Sequence, residues 1–346
     1  MVLRRVSVRA AWCVFVLACT AGASAQDKVK PQEDVKLTKP QMAQFQALTA
    51  LVDAVMAGKE PAPSDAELKV DFHFVKSTNA IFVPYQVEVS SGKFTSLPVA
   101  VYVRAVQKPS AGAAPSSAAT AKTVEYPFTD LYFLADAKSL RSTGADGEEF
   151  SRGLQLPPGE FDLYIAMMET QPRNSRTPPK RVVHAQVLTV PGVSSGLTTS
   201  SIILAKALED APSHLTPQQQ LEEPFTIGGN RITPMFTSTF AKSAELLFVC
   251  FIYNHGVGAN GKPEVDVSYL LFRANEAKPF SKAATSTFNA TTLPPEFSAS
   301  AGHQLVVGQG IPVASFAPGD YKLQISIADK TNNQTITRDI PFTVTP

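Results

Sequence analysis

The most explicit chemical pattern in this chain is Gly192-Val193-Ser194-Ser195-Gly196, a literal G-x-S-x-G. In a nucleophile elbow that spacing works because a strand-to-helix turn lifts the serine beside backbone oxyanion donors. Here Pro191 closes one β-like run and Leu197 to Leu204 opens another, so the required helix is missing. The segment reads as a Ser-rich linker, and a hydrolase using Ser194 or His303 ranks last among the functional readings. Five histidines, His73, His184, His214, His255 and His303, are dispersed, with no H-x-H, no H-E-x-x-H and no Cys/His cluster of zinc spacing. Asp71 and His73 alternate along one strand and could seed an acid/base or metal pair, but a polar solvent face explains them equally well. His303 lies in Ala301-Gly302-His303-Gln304, where a hydrogen bond to loop backbone is its expected use.

Other chemistries find even less. Asp146-Gly147-Glu148-Glu149 is too small a donor set for calcium without the spacing of an EF-hand, and reads as a solvated hairpin turn. Asn289-Ala290-Thr291 and Asn333-Gln334-Thr335 fit the glycosylation triplet, a pattern common by chance. No P-loop and no G-x-G-x-x-G occurs. The residues therefore designate no catalytic group, no metal ligand and no cofactor site.

The elements that would carry any function begin with an export signal. Arg4, Arg5 and Arg9 precede an apolar run from Ala10 to Ala18, and Ala23-Ser24-Ala25 is an A-x-A cleavage pattern. Residues 1–25 read as a signal peptide, which makes the expected location periplasmic or extracellular. Cys19 after Val16-Leu17-Ala18 is a poor lipobox, so lipid anchoring there is the lesser alternative. The apolar run is too short to span a bilayer, and no later stretch of sufficient length exists, so no transmembrane segment is expected after cleavage. Cleavage leaves 28 Lys+Arg against 30 Asp+Glu and a single cysteine, Cys250, inside the apolar run Leu246 to Tyr253. That thiol is expected to be buried and inert. A whole-chain formal charge of +1 without a basic block excludes the electrostatic footprint of a nucleic-acid binder.

Residues 26–37 are polar and read as a flexible leader. A helix follows over 38–58: Thr38 and Gln41 have capping-box spacing, Pro40 suits the first turn, and Phe45, Leu48, Leu51, Val52, Val55 and Met56 share one face. Gly58 and Pro61 stop it. Docking on the first domain is the expected use of that face, with partner binding as the rival.

From Leu68 the period changes to two. Strands are expected at Leu68–Phe74, Ile81–Val89, Val99–Val106, Leu131–Leu134, Phe161–Met167 and Val182–Val190. In the second half they are expected at Phe225–Ile227, Arg231–Thr233, Leu246–Tyr253, Val265–Phe272, Tyr321–Ala328 and Ile340–Val344. Gln107 to Lys122 reads as a disordered Ala/Ser/Pro loop, and Ala207 to Pro217 as the interdomain link.

The halves repeat. Pro158-Gly159-Glu160-Phe161-Asp162-Leu163 matches Pro318-Gly319-Asp320-Tyr321-Lys322-Leu323 at an offset of 160 residues. Two upstream strand pairs and the closing strand match in the same order. The fold class expected is all-β, two tandem immunoglobulin-like antiparallel β-sandwiches over 65–206 and 218–346, preceded by a short amphipathic helix.

Phe82-Val83-Pro84-Tyr85, Tyr126-Pro127-Phe128, Leu197-Thr198-Thr199-Ser200-Ser201, Pro224-Phe225-Thr226-Ile227-Gly228, Gly302-His303-Gln304-Leu305 and Ser315 to Tyr321 carry a family likeness. Through them most of residues 40–346 resembles secreted bacterial β-sandwich proteins related to the C-terminal regions of GWxTD-domain proteins. The Gly-Trp-x-Thr-Asp signature is absent. The resemblance implies fold and export and brings no activity with it. The functional expectation is a non-catalytic exported module whose partner is an envelope or extracellular protein. A glycan-binding module is the alternative, weakened because the chain after cleavage has no Trp to stack on sugars.

Overall fold

The computed structural model describes residues 16–17, 37–78, 80–91, 94, 96–109, 128–134, 141–142, 148–171, 175–211, 215–227, 229–259 and 261–346. Of the sequence expectations, the signal peptide and flexible leader other than Val16, Leu17 and Leu37, the Ala/Ser/Pro loop from residue 110 on, Asp146, His214 and Gly228 lie outside them.

In the first half the chain forms α1 (Lys39–Met56), β1 (Glu67–Phe72), β2 (Ile81–Ser91), β3 (Val99–Gln107), β4 (Phe128–Leu134), β5 (Glu148–Leu156), β6 (Gly159–Glu169) and β7 (Arg181–Val190). The second half carries β8 (Ile203–Asp210), α2 (Pro217–Glu222), β9 (Glu245–Tyr253), β10 (Val265–Arg273), β11 (Ser281–Phe288), β12 (Gln304–Pro312), β13 (Gly319–Asp329) and β14 (Gln334–Thr345).

Strand order makes the duplication explicit. One sheet of the first half runs β1-β2-β5 and the other β7-β6-β3-β4; the second half has β8-β9-β12 and β14-β13-β10-β11 in the same order. Registers correspond as well: Gly159 faces Val190 and Gly319 faces Val344 across the two closing hairpins. Each half is an immunoglobulin-like sandwich of two packed sheets. The repeated Pro-Gly corner has a physical cause. Gly159 has φ +147° and Gly319 has φ +150°, a backbone region that a side chain resists, so each central strand must start on glycine.

Short extra strands trim the sheets. Arg141–Ser142 pairs with β5, Asn230–Pro234 with β8, and Val16–Leu17 with the start of β12, while Thr239–Ala241 pairs in parallel with β14.

The two sandwiches differ in what covers their four-stranded sheet. In β13, Tyr321, Leu323, Ile325 and Ile327 are buried while Lys322, Gln324 and Ser326 are partly exposed, the alternation of a sheet with one wet face. In β3, Val99 through Arg104 are all buried, because the second face packs beneath α1. Leu48, Leu51 and Val52 from the helix meet Ala100, Tyr102, Ala166, Met168 and Val183 from the sheet. The helix begins as its sequence requires: Gln41 Oε1 accepts from the Thr38 amide at 2.9 Å, closing the capping box.

The core of the second sandwich includes Phe248, Cys250, Tyr269, Leu323, Ile325 and Phe342. Tyr321 stands at the start of β13, its ring stacked on Phe342 with centroids 5.5 Å apart and its hydroxyl donating to the Ala317 carbonyl at 2.7 Å. That is a tyrosine corner, which ties the entering loop to the strand it feeds. Phe161 occupies the matching place in the first sandwich and has no hydroxyl. Tyr321→Phe keeps the ring and removes one hydrogen bond, so a loss of about 1 kcal/mol in urea unfolding of the second sandwich is expected.

Several strands differ from the sequence expectation. β5 was not anticipated because its acidic start resembled a turn, although Phe150, Leu154 and Leu156 hold the period of two. β8, β11 and β12 were likewise missed; β11 is Ser/Thr/Ala-rich, and Gly308 and Gly310 dilute the apolar signal of β12. The chain divides into Ala23–Gly192 with Leu215–Thr226, and Val193–His214 with Ile227–Pro346. Residues 193–206, placed by sequence in the first sandwich, belong to the second because β8 pairs with β9. Residues 218–226, placed in the second, cluster with the first.

Candidate functional site

The residues singled out by sequence turn out to be dispersed and structurally engaged. Ser194 is exposed in a bend between β7 and the two-residue strand Thr198–Thr199, with no helix after it. The loop is held by the Asn254 side-chain amide, which donates to the carbonyls of Val193 at 2.9 Å and Gly196 at 3.0 Å. His303 is buried; its Nδ1 accepts from the Ser298 amide at 3.0 Å and its ring meets the edge of Phe297. It closes the turn Ala299–Ala301, whose last residue is followed by Gly302 at φ +88°. The Cys250 thiol is fully buried, and burial pushes its pKa up to about 12. Glu148 and Glu149 open β5 instead of forming a turn. Among the described residues, no group of three or more His, Cys, Asp or Glu is placed to hold a metal ion.

His73 corrects the sequence expectation of a wet strand face. β1 ends at Phe72, and His73 turns inward, so that His73 and Val75 are buried on either side of Phe74. Its ring packs edge-on against Phe225 at 5.6 Å, and Nε2 stands 3.4 Å from the partly exposed Asp71 carboxylate. Burial pulls the imidazole below its ordinary 6.5, with Asp71 opposing. The unfolded chain therefore takes up the proton first. Stability from the neutral ring is complete above about pH 6.5 and declines as pH falls below it, by up to about 1.4 kcal/mol per unit until the folded form also protonates. Urea melts at pH 7.5 and 5.5 are expected to show this decline in the wild type and a smaller one in His73→Gln.

A second buried group bridges the two sheets of the first sandwich. Arg152 on β5 donates through Nε to Asp130 on β4 at 2.9 Å, lies over the Tyr132 ring at 4.4 Å, and has Glu222 of α2 at 3.8 Å. The Tyr85 and Tyr132 hydroxyls are 3.2 Å apart, and burial keeps both phenols protonated well above their ordinary range. Arg152 leaves little free surface, with its side chain 10% exposed, which makes the group a cross-sheet brace.

A groove of about 1060 Å³ lies beside α1. Its helical wall is the first half of α1, where Gln41, Ala43, Gln44 and Ala47 face outward from the apolar stripe. The opposite wall is built from Pro63 and Asp65, from Pro98, and from the hairpin ends Met168–Gln171 and Pro178, Pro179 and Arg181. Sequence reasoning missed it because these segments converge only when α1 lies on the sheet; the proline pair Pro178-Pro179 just before β7 was its sole trace.

Hydrogen bonds hold both walls. Gln44 Nε2 donates to the Met168 carbonyl at 2.8 Å and the Thr170 hydroxyl to the Pro98 carbonyl at 2.7 Å. The buried Glu169 carboxylate accepts from the Lys180 amide at 3.0 Å, and Asp65 accepts from the Arg181 amide at 3.0 Å. At the other end of the helix, Arg104 is buried between Asp53, the Tyr102 hydroxyl at 2.8 Å and the Met56 sulfur at 3.4 Å. The helix is thus clamped at its C-terminal half and stands over an opening at its N-terminal half. None of the described residues lining that opening is aromatic.

No family model and no curated protein matches the chain. Solved structures that match include Escherichia coli alpha-2-macroglobulin activated by porcine elastase, at 12% identity and a TM-score of 0.19. That match covers 83% of this chain and 22% of the other. The sandwich assignment rests on strand order and register, to which so low a TM-score adds nothing. No helix among the described residues is long and apolar enough to cross a membrane.

Proposed function

We propose that this chain is a non-catalytic exported interaction module that receives a segment of an envelope or extracellular protein in the groove beside α1. The supporting observation is the groove itself, whose proline and methionine surfaces and side-chain amides suit an extended polypeptide. The absence of aromatics among its described lining residues withdraws support from saccharide stacking. Export rests on the basic, apolar and A-x-A pattern of residues 1–25.

Ala43 and Ala47 are exposed on the groove wall, so Ala43→Arg with Ala47→Arg fills the opening without touching the core. Crosslinking in the native envelope fraction is expected to join the wild type to a discrete protein and the double variant to none. Equal crosslinking of both would place the contact elsewhere, and no crosslinked protein in either would overturn the interaction reading.

A further inference from the structure

His73 and Gln86 are buried polar side chains of the first sandwich, 6% and 2% exposed. Neither the His73 Nε2 nor the Gln86 Nε2 has a hydrogen-bond partner among the described residues. A buried polar atom without a partner costs about 1–3 kcal/mol, so two of them close together ask for an occupant. Sheet pairing makes them neighbours. Asp71 lies directly opposite Gln86 across β1 and β2, and the His73 amide donates to the Pro84 carbonyl at 2.9 Å, which carries the pairing one residue past the end of β1. The flanking charges on the same two strands, Lys69 and Glu88, stand 3.4 Å from each other.

No hydrogen bond forms across the 3.4 Å between His73 Nε2 and Asp71 Oδ2. That spacing suits a shared ion. Zinc holds an imidazole nitrogen and a carboxylate oxygen at about 2.0–2.1 Å each, and two donors at tetrahedral angles on one ion then stand about 3.4 Å apart. We propose that His73, Asp71 and Gln86 form a zinc site. Imidazole and carboxylate are donors zinc accepts. The third donor is the Gln86 amide, whose oxygen and nitrogen exchange places on a half turn about its last bond, so the orphaned position can present a carbonyl oxygen. Only two of the three belong to the His, Cys, Asp and Glu class, which is why the site does not stand out as a metal cluster. The Phe225 ring, edge-on to the imidazole at 5.6 Å, holds the ring in place, while the Asp71 side chain is 43% exposed and gives the ion and a fourth, water ligand their way in. None of the three residues lines the groove beside α1.

The test is a calorimetric titration of the full, untagged chain with zinc chloride after dialysis against EDTA, the metal-free state to which the urea melts of His73 refer. The wild type is expected to bind one equivalent. Removing a ligand should cost at least as much as removing an outer-shell partner, so Asp71→Asn, His73→Gln and Gln86→Leu should each weaken zinc binding by about tenfold or more. His184, whose Nε2 meets the Gln86-independent partner Gln186 on β7 at 2.9 Å, serves as the control: His184→Gln should bind zinc as the wild type does. Asp71 is partly exposed, so Asn in its place keeps the fold, and circular dichroism of each metal-free variant checks that it does. A wild type that takes up no zinc overturns the site. So does an Asp71→Asn chain that binds zinc as tightly as the wild type, or a His184→Gln chain weakened as much as the ligand variants.

Discussion

Leu48→Ala is expected to destabilise the first sandwich by about 2–5 kcal/mol and to abolish crosslinking at the groove. Leu48 is fully buried at the centre of the α1 cluster, so truncation removes transferred apolar surface and leaves a cavity between helix and sheet. The functional half of the expectation follows from geometry. α1 supplies one whole wall of the groove, and its N-terminal half is tied to the opposite wall by Gln44 on the Met168 carbonyl. A helix that loosens at Leu48 loses that wall even while Arg104 still holds Asp53. Urea unfolding and crosslinking of the same protein check the two halves together. Crosslinking unchanged at conditions where α1 has melted by circular dichroism would separate the groove from the partner.

Arg152→Met is expected to cost about 3–5 kcal/mol, because it leaves the Asp130 carboxylate, 16% exposed, without the cation that compensates its burial. Glu222 loses a neighbour too, but it is half exposed and water replaces the loss. The double variant Arg152→Met with Asp130→Leu is expected to recover most of the stability, since an apolar pair of similar volume pays no desolvation penalty. The four melts form a double-mutant cycle whose coupling energy measures the brace directly. A coupling near zero would show that Tyr132 and Tyr85 hold the sheets together unaided.

Legibility followed the range of the interactions. Capping at Thr38, the stop at Gly58 and the Pro-Gly corners at 159 and 319 depend on neighbours within a few residues, and they could be read directly. The repeat was legible because both copies bury the same alternating positions of one strand, Phe161, Leu163 and Ile165 in one and Tyr321, Leu323 and Ile325 in the other. His73 was misread because its burial comes from a break in alternation after Phe72 and from Phe225, 152 positions later. The groove combines five separate stretches between Thr38 and Arg181, so no local pattern announces it. Gly192 to Gly196 was read as a linker and does contain the junction Gly192/Val193, while the stretch chosen as the interdomain link, Ala207 to Pro217, starts inside β8.

The interleaving of the two halves bears on how such a chain can be inherited. Residues 193–214 complete the second sandwich and residues 215–226 return to the first, so the genetic boundary between them has no single position. A recombination break before 215 would deliver the first sandwich without α2 and the Phe225 that covers His73. A break after 226 would carry β8 away from the second and expose the side of β9 it protects. The repeat therefore travels as an indivisible pair, and relatives built from one copy alone would need a different segment over His73.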